Sequence, residues 1–175
     1  DPEIIAGAGI TYLEGYLFDK DRAKQAFAKA ATIARESGRK VALSLSDTFC
    51  VERHFNDFHD LIDSHVDILF ANEEEIMRLY ETPDIEEIVG KLKTRCDIGI
   101  ITRSGQGSII VTPEERIDVD AVKPAQLVDS TGAGDAYAAG FLFGLTRGKP
   151  LAECGRLGAL VASEVISHMG PRPQS

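Results

Sequence analysis

A glycine-rich loop that runs directly into a helical pattern carries the clearest chemistry in the sequence. Gly132, Ala133 and Gly134 have little or no side chain, so their backbone N–H groups are open to a ligand. The helical pattern that begins near Ala133 adds the partial positive charge of a helix N-terminus at the same point. A loop of this kind is typical of sites that hold a phosphate or another oxyanion.

An acidic residue follows the loop in the first turn of the predicted helix. Asp135 is placed to accept a proton from an alcohol that attacks a phosphoryl group, so one motif would combine a base with an anion site. A structural interpretation stays open at this point. The glycines could serve close helix packing, and Asp135 could serve only to complement the helix dipole.

Strands and helices alternate around this loop. Asp19 is predicted to cap the first long helix and Gly38 to end it. Apolar runs predict strands over residues 4–13, 41–45, 66–71, 98–102, 108–112 and 116–119. Helical periodicity predicts helices over residues 19–38, 55–63, 72–79, 85–92, 133–147 and 151–167. We expect an α/β fold whose sheet is mostly parallel, covered on both faces, with an antiparallel edge at residues 108–119 and ligands beyond the carboxyl ends of the strands.

Composition limits the classes of function. The chain has 175 residues, of which 43% are hydrophobic, and this predicts one domain with a substantial core. Its 19 basic and 28 acidic residues give a formal charge of -9, which disfavours nucleic-acid binding. No apolar run approaches the roughly 20 residues that span a bilayer, and we expect a soluble, cytoplasmic protein without a membrane partner.

The cysteines and histidines give no metal signature in the sequence. Cys50, Cys96 and Cys154 are far apart and are expected to be small buried hydrophobes. The spacing of three histidines does not place them on one helix face: His54, His59 and His65. We expect no cysteine at metal-ligand spacing beside them. We expect surface or interhelical histidines.

Several motifs in the same order resemble those of one enzyme family. The run DSTGAGDAYAAGF (residues 129–141) resembles the second sequence motif of the ribokinase-like, or PfkB, carbohydrate and nucleoside kinases. The run NEEE (72–75) resembles the family's N-x-x-E, and TRSGQGS (102–108) resembles its nucleotide-contacting strand and turn. The runs YLEGYLFD (12–19) and VISHMGPRP (165–173) are similar to the adenosine-kinase-like branch.

The resemblance implies transfer of the γ-phosphoryl group of ATP to a hydroxymethyl group of a sugar or nucleoside. It makes Asp135 the general base, which also contacts the substrate, and it makes the amides of Gly132, Ala133 and Gly134 stabilise the transferred group. Glu14 is implied as a contact to a substrate hydroxyl, although an acidic residue at a strand end is often a cap or an ion-pair partner. Asn72 and Glu75 are implied to organise Mg²⁺ through water.

The nucleotide contacts are implied in the same way. They are Thr102, Ser104, Gly107, Thr131, Gly158 and Ala159. An ordinary hairpin would also explain the turn around Gly107, and plain packing would explain small residues in the last helix. Many relatives have glycine where this chain has Ser104. The resemblance also raises a monovalent cation as a further ligand and a homodimer of the intact protein.

The family's kinase domain is longer than this chain. The resemblance therefore implies that residues 1–175 are the carboxyl-terminal, nucleotide-binding part of a single three-layer α/β/α, Rossmann-like domain. Its sheet would be incomplete on the amino-terminal side, its lid and amino-terminal half would be absent, and the fragment would be inactive alone. Two other classes of protein stay open at this stage. One is a non-catalytic nucleotide-binding or regulatory module. The other is a nicotinamide-dependent oxidoreductase, for which the sequence lacks a complete dinucleotide-binding motif.

Overall fold

A computed structural model describes residues 1–174 and shows alternating helices and strands. The strands are β1 (Ile10–Glu14), β2 (Lys40–Ser44), β3 (Ile68–Asn72), β4 (Ile98–Thr102), β5 (Ser108–Val111) and β6 (Arg116–Val119). The α-helices are α1 (Pro2–Gly7), α2 (Asp21–Glu36), α3 (Thr48–Arg53), α4 (Phe55–His65), α5 (Glu73–Tyr80), α6 (Ile85–Leu92), α7 (Ala133–Leu145) and α8 (Leu151–Val165). Short 3₁₀ helices lie at Gly15–Asp19 and Ser104–Gln106.

The strands form one six-stranded sheet in the order β1-β2-β3-β4-β5-β6. β1 pairs with β2 in parallel, with Leu13 opposite Leu43, and β2 pairs with β3 in parallel. Residues 103–107 join β4 to β5, and residues 112–115 join β5 to β6. Connections this short join only antiparallel neighbours, since a parallel crossover needs a dozen residues or more. The predicted mostly parallel sheet with an antiparallel edge is therefore confirmed.

The chain divides into two compact units, and each has its own apolar core. Unit 1 comprises residues 1–100 and 111–115, and unit 2 comprises residues 101–110 together with the chain from Arg116 onward. In unit 1, Leu43, Phe58 and Ile76 are fully buried. In unit 2, Ile110 and Phe141 are fully buried. Within residues 1–174, no helix is long and apolar enough to cross a membrane.

The predicted strand over residues 4–13 is wrong in its first half. Residues Pro2–Gly7 form α1, and β1 begins only at Ile10. The Asp1 carboxylate accepts a hydrogen bond from the Glu3 amide, and proline occupies the first turn, so the chain carries both start signals of a helix. These signals outweigh the apolar character of the run.

The predicted cap at Asp19 is also wrong, whereas the predicted end at Gly38 is confirmed. The residue that caps α2 is Lys20, and the Asp19 carboxylate instead accepts hydrogen bonds from Arg53. Gly38 has φ +66°, a conformation that favours glycine after a helix. The sequence patterns also missed α3, at whose start the Asp47 carboxylate accepts from the Cys50 amide. The helices α7 and α8 end before the predicted limits at Arg147 and Ser167.

Candidate active site

The glycine-rich loop of unit 2 ends on a glycine in a left-handed conformation. Gly132 has φ +79° and precedes the first residue of α7. A Cβ atom at this position would lie 2.5 Å from Cβ of Pro171, so a larger residue would be strained and crowded. Gly132 is therefore required by the fold of the loop.

Hydrogen bonds tie the loop to the carboxyl-terminal segment. The Val128 amide donates to the Ile166 carbonyl at 2.9 Å. The Asp129 carboxylate accepts from the amides of Thr131 at 2.9 Å and Gly170 at 3.1 Å. Hydrogen bonds from the side chain of Thr131, then from its amide and from the Gly170 amide, hold the pKa of Asp129 below its usual range, so this carboxylate is a charged anchor of the loop.

The first turn of α7 is open at its outer face. Gly134 is exposed, and a Cβ atom built on it would meet nothing within 4 Å. Within residues 1–174, no side chain caps this helix, and the Ala133 amide donates to the Ser130 carbonyl at 3.2 Å. The helix N-terminus carries the partial positive charge of its dipole. Asp135 is exposed in the same turn. The arrangement suits an anion that approaches the Gly134 side of the helix, next to a carboxylate that can act as a base.

Glycines allow α7 and α8 to pack closely behind this turn. A Cβ atom on Gly140 would lie 2.7 Å from the Leu157 carbonyl oxygen, and one on Gly158 would lie 2.8 Å from the Tyr137 carbonyl oxygen. The Tyr137 hydroxyl forms a buried 2.7 Å hydrogen bond with Ser108. Close packing of α8 on α7 is therefore a sufficient reason for glycine at position 158. The next residue of α8, Ala159, is half-buried.

The turn between β4 and β5 is held by its own backbone. The Arg103 amide donates to the Gly107 carbonyl at 2.8 Å, and Ser104 adopts φ +49°. Gly107 has φ +87°, and its missing side chain leaves room for the backbone of Val119 and Ala121. The close approach expected at Gly107 is therefore made by the chain itself. Thr102 is half-buried and Ser104 is exposed.

In unit 1, Asn72 and Glu75 form a reciprocal capping box at the start of α5. The Glu75 amide donates to Asn72 Oδ1 at 2.8 Å, and the Asn72 amide donates to Glu75 Oε2 at 2.9 Å. Asn72 Nδ2 also donates to Glu75 Oε1 at 2.7 Å. Glu75 is only 5% exposed, and burial raises its pKa to about 7.

This pair offers oxygen donors, which suit Mg²⁺. Its oxygens already accept hydrogen bonds within the pair, and two side chains alone do not fill an octahedral shell. The donor set therefore fits a magnesium ion held through water and does not fit direct chelation. The neighbouring Glu74 is exposed and Glu73 is half-buried.

Glu14 lies at the carboxyl end of β1, where a second group of polar residues converges. The Ser46 hydroxyl donates to Glu14 Oε1 at 2.8 Å, and the same carboxylate accepts from the Tyr16 amide at 3.4 Å. Ser46 adopts φ +74°, which is uncommon for a residue other than glycine. Asp47 caps α3 and is hydrogen-bonded to Tyr16, whose pKa is raised first by burial and then by this contact. The sequence patterns did not indicate Ser46, because its backbone conformation leaves no signal in residue type.

Three side chains with potential metal-ligand atoms meet in unit 1, which the sequence patterns did not indicate. All three cysteines are buried, as predicted. Cys50 and His54, however, lie four residues apart on α3 and at its end, and both lie close to Asp19. The expectation that no cysteine accompanies the histidines at ligand spacing is wrong at this place.

The match to a known family covers nearly the whole chain. Residues 2–175 match the pfkB family carbohydrate kinase profile. The chain belongs to this family. The resemblance found in the glycine-rich loop is confirmed, and the glycine turn before α7 lies in the run that resembles the second pfkB motif.

Individual pfkB relatives agree in fold and sequence. The adenosine kinase of Sinorhizobium meliloti is 47% identical, with a TM-score of 0.97 over 100% of this chain and 54% of the other. Arabidopsis thaliana ribokinase, solved with ribose and ATP, is 28% identical, with a TM-score of 0.78 over 97% of this chain and 53% of the other. The cytidine kinase of Thermococcus kodakarensis is 34% identical over 141 residues, which are 78% of this chain and 50% of that protein. The chain thus spans about half the length of these pfkB relatives, and it has the predicted ribokinase-like α/β fold.

Proposed function

We propose that this chain belongs to an ATP-dependent phosphotransferase that moves the γ-phosphoryl group to a hydroxymethyl group of a nucleoside or pentose sugar. The observation that carries the proposal is the open first turn of α7. Gly134 leaves the amides accessible, Asp135 stands in the same turn, and no side chain of residues 1–174 caps the helix. Phosphoryl transfer needs a held anion and a nearby base, and this turn supplies both.

The residues at this turn divide anion binding, proton transfer and nucleotide contact among them. The amides of Gly132, Ala133 and Gly134 stabilise charge on the transferred group. Asp135 contacts the acceptor hydroxyl and takes its proton as the oxygen attacks phosphorus, while the bond from the γ-phosphorus to the bridging oxygen breaks and ADP leaves. Thr131 lies one residue before the amides and contacts the nucleotide.

The other roles are carried from the family resemblance. Thr102, Ser104, Gly107, Gly158 and Ala159 would contact the nucleotide, although Gly107 and Gly158 also have the packing reasons given above. Asn72 and Glu75 would hold Mg²⁺ through water, and the ion would neutralise charge on the phosphates. The proposal also includes a monovalent cation as a ligand and a homodimer of the intact protein. No residue is assigned to either.

Nucleosides are the favoured acceptor class. Support comes from relatives named as adenosine and cytidine kinases, of which the first is 47% identical to this chain. The Glu14 carboxylate, oriented by Ser46, would accept a hydrogen bond from an acceptor hydroxyl. A ribose acceptor is the second candidate, because the ribose-bound ribokinase shares the fold.

A kinase assay with several acceptors tests the proposal. Purified protein is incubated with MgATP and adenosine, cytidine, ribose or fructose 6-phosphate, and ADP release and the phosphorylated product are both measured. Full-length S. meliloti adenosine kinase serves as the positive control. We expect the 175-residue chain to bind ATP without appreciable turnover, because transfer requires a held acceptor and excluded water and the relatives are about twice as long.

The enzyme that contains this sequence is expected to phosphorylate a nucleoside or pentose. ATP binding without turnover on any acceptor in that enzyme would favour the alternative, a non-catalytic nucleotide-binding module. Absence of ATP binding in both samples would exclude both functions.

A further inference from the structure

Three potential metal ligands of different chemical type meet in unit 1, apart from the residues assigned to phosphoryl transfer. Asp19 ends the 3₁₀ helix, Cys50 lies in α3, and His54 lies at the junction of α3 and α4. One ligand atom from each of the three lies within 4.8 Å of the other two. Cys50 and His54 share a helix face because they are four residues apart, and the 3₁₀ helix brings Asp19 to that face.

The contacts of His54 resemble those of an imidazole prepared for a metal. Its Nε2 atom lies 2.9 Å from Asp19 Oδ1, on the side of the cluster. Its Nδ1 atom is buried, makes no hydrogen bond within residues 1–174, and lies 3.6 Å from Asp57 Oδ2. In metal sites the nitrogen that does not bind the metal commonly donates to a carboxylate, which fixes the ring. Asp57 is in position to play that part.

Aromatic packing holds the ring in place. The imidazole lies edge-on to Phe18, with centroids 5.7 Å apart, and to Phe58, with centroids 6.3 Å apart. Its side chain is 11% exposed, while that of Asp19 is 46% exposed. The cluster therefore has a packed inner side and an outer side that a metal ion can reach.

Negative charge dominates around the sulfur. Burial first, and then the charges of Asp19, Asp47 and Glu14, raise the pKa of the Cys50 thiol to about 11, while Arg53 opposes the shift. The same negative charges that disfavour a bare thiolate attract a divalent cation to the place beside the sulfur. The thiol at present donates to the Gly15 carbonyl at 3.0 Å.

We propose that Asp19, Cys50 and His54 form a binding site for a divalent transition metal of the zinc class, through Oδ1, Sγ and Nε2. Mixed sulfur, nitrogen and oxygen ligands suit zinc and its spectroscopic substitute cobalt, and three protein ligands leave a fourth position for water. Binding releases the thiol proton to solvent and moves the imidazole proton from Nε2, where it now faces Asp19, to Nδ1, where it is directed at Asp57. Arg53 donates to both oxygens of Asp19, from Nε to Oδ1 at 3.0 Å and from Nη2 to Oδ2 at 2.9 Å. The metal replaces the bond to Oδ1, and the bond to Oδ2 is kept.

Cobalt titration of the 175-residue chain tests the site directly. We expect the sulfur-to-cobalt charge-transfer absorption of a bound thiolate, one equivalent per chain, and its loss on addition of zinc. Cys50→Ser should abolish the absorption, while Cys154→Ser should leave it intact. Cys154 is a matched control because it is also fully buried but lies in α8. A serine at position 50 can still donate to the Gly15 carbonyl, so the variant is expected to fold.

Two further variants keep the test decisive. Asp57→Asn should weaken cobalt binding by about 10- to 100-fold, as is usual for loss of the group that orients a ligating histidine. His54→Gln should remove most binding and the increase in Tm that zinc gives to the wild-type chain. Absence of the charge-transfer absorption in the wild type, or its retention in folded Cys50→Ser, would overturn the proposal.

Discussion

The carboxylate of Asp135 differs from other helix-start carboxylates of the chain because it adjoins an open glycine turn. In the enzyme that contains this sequence, Asp135→Asn should lower kcat by about 100- to 10,000-fold, since the amide keeps the shape but is a far weaker base. The Kd for ATP, measured by calorimetry, should change little. Glu153→Gln is the matched control, because Glu153 also lies in the first turn of a helix, at an exposed position of α8. Equal losses in the two variants would remove Asp135 from the mechanism.

Substitution of Gly134 and Gly132 by valine is expected to impair different properties, ATP binding in the first case and fold stability in the second. Gly134→Val should weaken ATP binding at least about 10-fold while the free energy of unfolding stays near the wild-type value, since the new side chain meets only the space assigned to the phosphates. Gly132→Val should instead destabilise the fold, because φ is +79° and the added Cβ would lie 2.5 Å from Cβ of Pro171. Urea unfolding and ATP titration of both variants separate the two effects. Unchanged ATP binding by folded Gly134→Val would refute the placement of the anion.

The buried Glu75 carboxylate makes stability depend on pH. Burial raises its pKa from 4.5 to about 7 in the folded chain, so the folded state holds the proton more tightly than the unfolded state. Stability from this group is complete below pH 4.5 and is lost as the pH rises through about 7, by roughly 3 kcal/mol. Glu75→Gln should flatten this slope in urea unfolding between about pH 4 and pH 8. Glu74→Gln, at the exposed neighbouring position, should leave the pH dependence of unfolding unchanged. Equal slopes in the wild type and Glu75→Gln would contradict the assignment of this pH dependence to Glu75.

At the scale of elements, the close packing of α7 on α8 depends on glycine. Gly140→Ala should destabilise the chain by about 1 to 3 kcal/mol, because its Cβ would lie 2.7 Å from a backbone oxygen of α8. Gly90→Ala is the opposite control. Gly90 lies in α6 with nothing within 4 Å of the added Cβ, so this change should stabilise the chain by about 0.5 to 1 kcal/mol. Thermal and urea unfolding measure both, and a stabilised Gly140→Ala would show that the helices have room to separate.

Sequence patterns predicted those elements whose signal is periodic. The apolar spacing of α2, α4 and α6 is clear over two or more turns, and Gly38 marks a helix end by residue type alone. The first strand was misplaced because an apolar run does not distinguish strand from helix when it is short, and the Asp1-Pro2 start signal decided in favour of α1. The short helix α3 was missed because six residues give too few turns to reveal a period.

At the scale of the whole molecule, the family motifs were predictable and the contacts that orient them were not. The glycine-rich run and the N-x-x-E run are local in sequence, so residue type is enough to find them. The Ser46 bond to Glu14 and the meeting of Asp19 with His54 join residues more than 30 positions apart, and pairing of this kind arises only when the chain folds. The chain also matches only about half the length of its relatives, so its proposed activity is a claim about the enzyme that contains it.

The placement of the nucleotide phosphates is the central claim, and a structure of the chain with MgCl₂ and a non-hydrolysable ATP analogue tests it most directly. The distance from the terminal phosphate oxygens to the amide nitrogens of Gly132, Ala133 and Gly134 is the quantity to measure. We predict hydrogen-bond distances of about 2.7 to 3.2 Å, with the Asp135 carboxylate facing the terminal phosphate. Phosphates bound at another element, with the first turn of α7 unoccupied, would contradict the account.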